Sequence, residues 1–194
     1  MFKKMSTVAA ILTTIASTQV SAQTFKADTK NSSIEWLAKK VTGQHNGDVK
    51  LSSGTITLGK NAITAGQFEV DMTTITVKDL TGEWNEKLLG HLKSDDFFAT
   101  DKFAKATLVI TEGKKASDGV YNVKGNLTIK GITKPITFPA TVVVAGNNLT
   151  ATSLVTIDRT LYDIKYGSKS FFESLGDKAI DNDFALTIKL VANK

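Results

Sequence analysis

Few side chains in this 194-residue chain are equipped for chemistry. There are no cysteines, and the two histidines are His45 and His91. Cysteine nucleophiles, thiolate zinc sites, disulfides and lipid attachment through a thiol are thereby excluded, as is a three-histidine metal centre. Arg159 shares its parity with the apolar Ile157 and Leu161. An inward-facing arginine needs a partner, for which Asp158, Asp163 or a ligand oxygen are candidates. His91 lies beside Trp84, Leu88 and Leu92 on one apolar stripe. It reads either as a hydrogen-bonded core histidine or as a donor to a ligand head group, since a neutral imidazole offers one donor and one acceptor. His45, within Gly43 to Gly47, reads as a solvated turn residue, and Asp96 as a cap or turn residue.

Other fragments fall short of known chemistry. Asp177, Asp181 and Asp183 lack the EF-hand spacing and its closing glutamate. Glu112-Gly113-Lys114 lacks the upstream glycine and the following hydroxyl residue of a phosphate loop. No Gly-x-Ser-x-Gly elbow occurs. No spacing sets a general base beside a partner, so the expectation is a non-enzymatic protein with no cofactor and no metal.

The elements that position these residues are mostly strands. Apolar residues alternate with polar ones at Ile34, Trp36 and Ala38, at Phe68, Val70 and Met72, and at Leu108 and Ile110. The pattern continues through Leu127 and Ile129, Ile136 to Val142, Leu149 to Ile157, and Ile180 to Leu190. With a strand near Val49 to Leu58 this makes about eight strands. Turns are expected at Asn46-Gly47, Gly59 to Asn61, Asp118-Gly119 and Gly146 to Asn148. One segment has helical periodicity: Trp84, Leu88 and Leu92 recur at i, i+4 and i+8 within Gly82 to Lys93, with Thr81 as N-cap. The stripe places Trp84 against the barrel, as a plug at one end.

Long one-sided strands must cover their edges, and closure into a barrel does so. The expected fold is all-β: an antiparallel β-barrel of about eight strands with one short inserted helix. A barrel of that size is filled by its own side chains or holds one small ligand. Alternation leaves both open.

Residues 1–22 read as a cleavable secretory signal. Lys3 and Lys4 precede a mostly apolar run, Val8 to Val20, and Val20-Ser21-Ala22 suits cleavage after Ala22. The run is too short to span a bilayer. Removing two lysines and no acidic residue lowers the formal charge from +5 by two. A mild excess of that kind is a solvated surface, so no nucleic-acid partner is expected. No stretch beyond Ala22 supports stable membrane insertion. Asn31, Asn126 and Asn148 stand in glycan-acceptor triplets, which matter only in a eukaryotic secretory pathway.

Two stretches carry a family resemblance. The first runs from His91-Leu92-Lys93-Ser94-Asp95-Asp96-Phe97-Phe98 through Lys102-Phe103 to Ala106-Thr107. The second is Gly125-Asn126-Leu127-Thr128-Ile129-Lys130-Gly131-Ile132-Thr133-Lys134-Pro135-Ile136. In this order, behind a signal-like segment, they resemble the YceI-like family of exported lipid-binding proteins, and the resemblance covers residues 23–194. Ala104 departs from it, standing where the family commonly has proline. Leu161 to Lys178 is the stretch least like the general pattern.

The resemblance implies an extended, lipocalin-like barrel in the periplasm that carries or stores a long isoprenoid such as a quinone or polyprenyl phosphate. A fatty-acid or fatty-amide cargo is the alternative, and a homodimer is left open. The tunnel lining expected from parity and from the helix stripe is Trp36, Phe68, Val70, Met72, Trp84, Leu88, Leu108, Ile110, Leu127, Ile129, Phe138, Ile157, Phe184 and Leu186. His91, Arg159 and Tyr162 are the candidates for the ligand's head group.

Overall fold

The computed structural model describes residues 22–194. The expected signal segment, apart from Ala22, lies outside the described residues. The strands are β1 (Gln23–Ala27), β2 (Ser33–Lys40), β3 (Gly43–Leu58), β4 (Ala62–Asp71), β5 (Lys105–Ser117), β6 (Val120–Ile129), β7 (Ile132–Ala145), β8 (Asn148–Asp158) and β9 (Ile180–Asn193). One α-helix, α1 (Gly82–Lys93), interrupts them between β4 and β5.

All pairings are antiparallel, and the sheet closes because β3 pairs with β4 as well as with β2. β1 and β2 share one position in the ring. β2 lies between the first half of β3 and the start of β9, and β1 lies between the last residues of both. The wall is therefore an eight-position closed barrel of nine strands, and closure removes the exposed edges that open sheets must protect. At ~3.4 Å per residue the 14-residue β7 is roughly 47 Å long, so the barrel is elongated.

Hairpin chemistry follows the sequence at most corners. Lys130 and Gly131 both take positive φ (51° and 75°) between Ile129 and Ile132, the conformation a two-residue hairpin needs. Asp118-Gly119 and Gly146-Asn147 form the corresponding turns of β5–β6 and β7–β8.

The expected Asn46-Gly47 turn is not one. The β2–β3 chain reverses at Val41-Thr42, and Asn46 and Gly47 lie inside β3, opposite Leu37 and Trp36. The glycine serves a different need. The segment between β4 and α1 runs against β3, with Thr76 N–H donating to the Asp48 carbonyl at 2.9 Å and Lys78 N–H to that of Asn46 at 2.9 Å. A Cβ on Gly47 would sit 1.8 Å from the Thr76 carbonyl oxygen, so only glycine admits this approach. His45 is correspondingly a strand residue, with Nδ1 2.7 Å from Asp79 Oδ2.

The helix forms over the expected residues, but its stripe does not face inward as a whole. Leu92 is buried and Leu88 half-buried, whereas Trp84 is 70% exposed with Lys87 over its ring. Trp84 sits in the first turn, where Thr81 has extended N-cap geometry without a side-chain cap bond. Only the C-terminal turns dock, so the expected plug is absent. The other side of that end is covered by residues 159–179, which include a 3-10 turn, Arg159–Tyr162, and the buried Tyr162, Ile164, Gly167, Ser168 and Ala179. At the opposite end Phe25, Ile63, Val123 and Leu149 are buried essentially completely. One end is thus solid core and the other is packed under a cover.

Candidate functional site

Between those two ends the barrel interior is not filled. A cavity of about 220 Å³ runs along it, bordered by Leu92, Phe97 and Phe98 near α1 and by Ile56, Ile63 and Val142 towards the solid end. Apolar cavities of ~150 Å³ stay dry and accept apolar molecules. Strand parity explains the lining. Every second residue of each strand points inward, and Phe68, Val70, Leu108, Leu127, Phe138, Phe184 and Leu186 are each only half-buried although they face the axis. Their remaining exposure is to the void.

Of the residues expected to line a tunnel, Trp36, Phe68, Val70, Met72, Leu108, Ile110, Leu127, Ile129, Phe138, Ile157, Phe184 and Leu186 all border this cavity. Met72 does so from a short 3-10 turn rather than from a strand. Trp84 and Leu88 do not border it. The first is in solvent, and the second packs on the core from the helix. Phe97, Phe98 and Ile164 border the cavity and were not foreseen, because they lie in loops where no periodicity marks a facing direction.

The three candidates for a polar end separate. His91 does not border the cavity. Its ring makes edge-on contacts with Phe97 (centroids 4.8 Å apart) and Tyr166 (4.5 Å), and its Nε2 lies 3.2 Å from Asp96 Oδ2. It fastens the end of α1 to the cover, which is the structural alternative weighed above. Tyr162 is 2% exposed and packs in the core cluster away from the cavity lining, and burial pushes its phenol pKa up.

Arg159 does border the cavity, at 4% exposure. Its partners are none of those expected. Nε donates to the Asp181 carbonyl at 3.0 Å, Nη1 to that of Ile164 at 2.7 Å and Nη2 to that of Ile180 at 3.2 Å. A guanidinium has five N–H groups, so one on each terminal nitrogen remains without a partner among the described residues. No carboxylate lies within ion-pair distance of it among those residues. Burial lowers its pKa and the more distant Asp158 and Asp181 act against that, but a guanidinium keeps its charge. Arg159 is thus a buried, unneutralised cation at one end of an apolar cavity.

Little else in the described residues offers a site. No group of three His, Asp or Glu residues there is placed to hold a metal ion. No helix there is long and apolar enough to cross a membrane.

A closed antiparallel barrel around an elongated apolar cavity defines a fold class built to enclose a hydrophobic molecule. The chain belongs to the YceI-like family, whose domain matches residues 25–192. A UPF0312 protein of Pseudomonas fluorescens is 31% identical over 145 residues, 73% of each chain. Protein YceI of Escherichia coli is 32% identical over 102 residues, 53% of this chain and 51% of that one. With most of the first curated relatives the chain shares an alignable stretch of about half their length or less. Among solved structures, BcnA of Burkholderia cenocepacia superposes with a TM-score of 0.71 at 21% identity, covering 86% of this chain and 99% of that one. A polyisoprenoid-binding domain from Saccharophagus degradans gives 0.63 at 12% identity, covering 87% and 97%. At such identities the likeness is one of fold.

Proposed function

We propose that this protein is a non-enzymatic periplasmic carrier or store of a long isoprenoid lipid, a quinone or polyprenyl phosphate, exported by cleavage after Ala22. The observation that carries the reading is the apolar cavity ending at Arg159. A polyprenyl tail gains ~0.8 kcal/mol for each methylene-sized group removed from water, so a lining without hydrogen-bonding side chains along most of its length suits it. The two free N–H groups of Arg159 suit a phosphate or quinone oxygen as the head, because a charge-assisted hydrogen bond is strongest where water is excluded. The Saccharophagus domain, described as polyisoprenoid-binding, supports the cargo class. A catalytic use would require an acid–base pair at the cavity; Asp181 and Asp183 border it, but neither forms an ion pair with Arg159 among the described residues.

Organic extraction of protein purified from the periplasm, followed by mass spectrometry, tests this reading. An isoprenoid at near-stoichiometric yield is expected. A fatty acid or fatty amide would replace the cargo and keep the carrier role. An extract without lipid, from protein that also refuses added quinone, would overturn the reading.

A further inference from the structure

One end of the cavity is packed core and the other lies under residues 159–179, which raises the question of how an occupant passes the wall. The wall is interrupted where β1 and β2 share a position, leaving residues 50–54 of β3 unpaired on that side, and again between β7 and β8. β7 has 14 residues and β8 has 11, yet they pair only from Thr141↔Thr152 to Ala145↔Asn148. β7 remains paired with β6 from Ile132 to Thr141, and β8 with β9 as far as Asp158↔Asp183. Beyond Ser153, whose hydroxyl donates to the Pro139 carbonyl at 2.6 Å, the two strands run on without a ladder between them. The unpaired stretch of β8, Leu154 to Asp158, is roughly 17 Å long at ~3.4 Å per residue.

The chain's two prolines, Pro135 and Pro139, are both on β7 along this stretch. Backbone groups of alternate residues face opposite neighbours. Val142 N–H donates to Gly119, on the β6 side, and the Pro139 carbonyl accepts from β8, so the odd-numbered residues of β7 face β8. Pro135 and Pro139 therefore present no N–H where a ladder would need one. Proline in a sheet belongs at an edge that stays unpaired. The gap is written into the sequence.

The lips of the gap are apolar. Ile136 and Phe138 of β7 and Val155 and Ile157 of β8 point inward, and Phe138 and Ile157 border the cavity. On the outside Leu154 is 63% exposed. At the covered end Lys134, half-buried on the inward face and without an ion pair among the described residues, stands on the same side as Arg159.

We propose that the β7–β8 seam is a lateral portal through which the tail of the lipid enters and leaves, its head remaining at the Arg159 end. This rests on the lipid-carrying reading above. In the register of the paired part, Thr137 and Thr156 would oppose one another across the seam, and both are exposed. The chain has no cysteine, so Thr137→Cys/Thr156→Cys introduces the only thiols.

The probe is cis-parinaric acid, loaded into the protein and followed by its fluorescence during transfer to phosphatidylcholine vesicles. Closing the seam with a disulfide, or with a short bis-maleimide, should slow transfer at least tenfold. Reduction of the disulfide should restore the rate. Val143→Cys/Thr150→Cys, linked within the paired part, should transfer as wild type does. Pro135→Thr/Pro139→Thr, which restores both N–H groups, should slow transfer without any cross-link. Cross-linked protein, verified by mass, that transfers at the uncross-linked rate would overturn the portal while leaving the carrier intact. Wild-type protein that takes up neither the probe nor a quinone would remove the carrier reading and the portal with it.

Discussion

Arg159 shows how one residue can serve the fold and a site together. Its three bonds to the carbonyls of Ile164, Ile180 and Asp181 tie the cover to β9, and the residue also borders the cavity. Hydrogen bonds from charged donors contribute ~1.5–3 kcal/mol each, and losing three is offset in part by no longer burying a cation, so Arg159→Ala should lower stability by about 3–5 kcal/mol in a denaturant titration. Arg159→Lys keeps the charge but not the fork. It should fold, and its extracted lipid should fall relative to wild type; an unchanged yield would count against a head-group role. Trp84 is the contrasting case. Exposed on the first turn of α1, it should tolerate Trp84→Ala within about 0.5 kcal/mol, as judged by thermal melting.

At the scale of elements, the segment between β4 and α1 is held on β3 by a small set of polar contacts. Trp36 Nε1 donates to the Thr76 carbonyl at 3.0 Å, and Asp79 accepts from the Asn46 N–H at 2.9 Å and meets His45 at 2.7 Å. Gly47→Ala would force a methyl into the Thr76 carbonyl, so it should destabilise by about 2–3 kcal/mol, the range of an overpacked core. Burial pushes the Asp79 carboxyl up, but the Asn46 N–H and His45 outweigh it and the net pKa lies below the ordinary 3.8. A depressed carboxyl stabilises the fold above its unfolded pKa and ceases to do so as pH falls through the folded one. Asp79→Ala should therefore be ~1–2 kcal/mol less stable than wild type at pH 7, the difference shrinking once pH drops below about 3.8. Paired denaturation curves at pH 7 and pH 3 would measure both halves of that statement.

For the whole molecule the question is whether the interior behaves as a tunnel or as core. Leu127 borders the cavity and is half-buried against the void. An aspartate there puts a carboxylate beside an apolar tail, unfavourable by several kcal/mol, yet displaces no close-packed neighbour. Leu127→Asp should keep its far-ultraviolet circular dichroism and lose its extractable lipid. Val123, 1% exposed near the solid end, is the comparison. There the same substitution, Val123→Asp, should unfold the protein, because the side chain is close-packed where it meets the narrow end of the cavity and a charge has no solvent within reach.

The antiparallel barrel and the helix at Gly82–Lys93 were legible along the chain, because period-two and period-3.6 patterns record which faces each element buries. The same parity placed Phe68, Leu127, Phe138 and Phe184 on the axis. It could not tell a lined void from a filled core, since both call for identical alternation and differ only in how far opposite walls stand apart. The position of Trp84 was decided by tertiary structure. A helical stripe states which residues share a face, whereas the docking angle of α1 sets how much of that face meets the barrel. Asn46-Gly47 carries a turn signal in isolation and lies in a strand, because a glycine needed for the approach of Thr76 is indistinguishable in sequence from one needed for positive φ. The partners of Arg159 were out of reach for a related reason: backbone carbonyls leave no mark in sequence, and only the fold brings those of Ile164, Ile180 and Asp181 to one guanidinium.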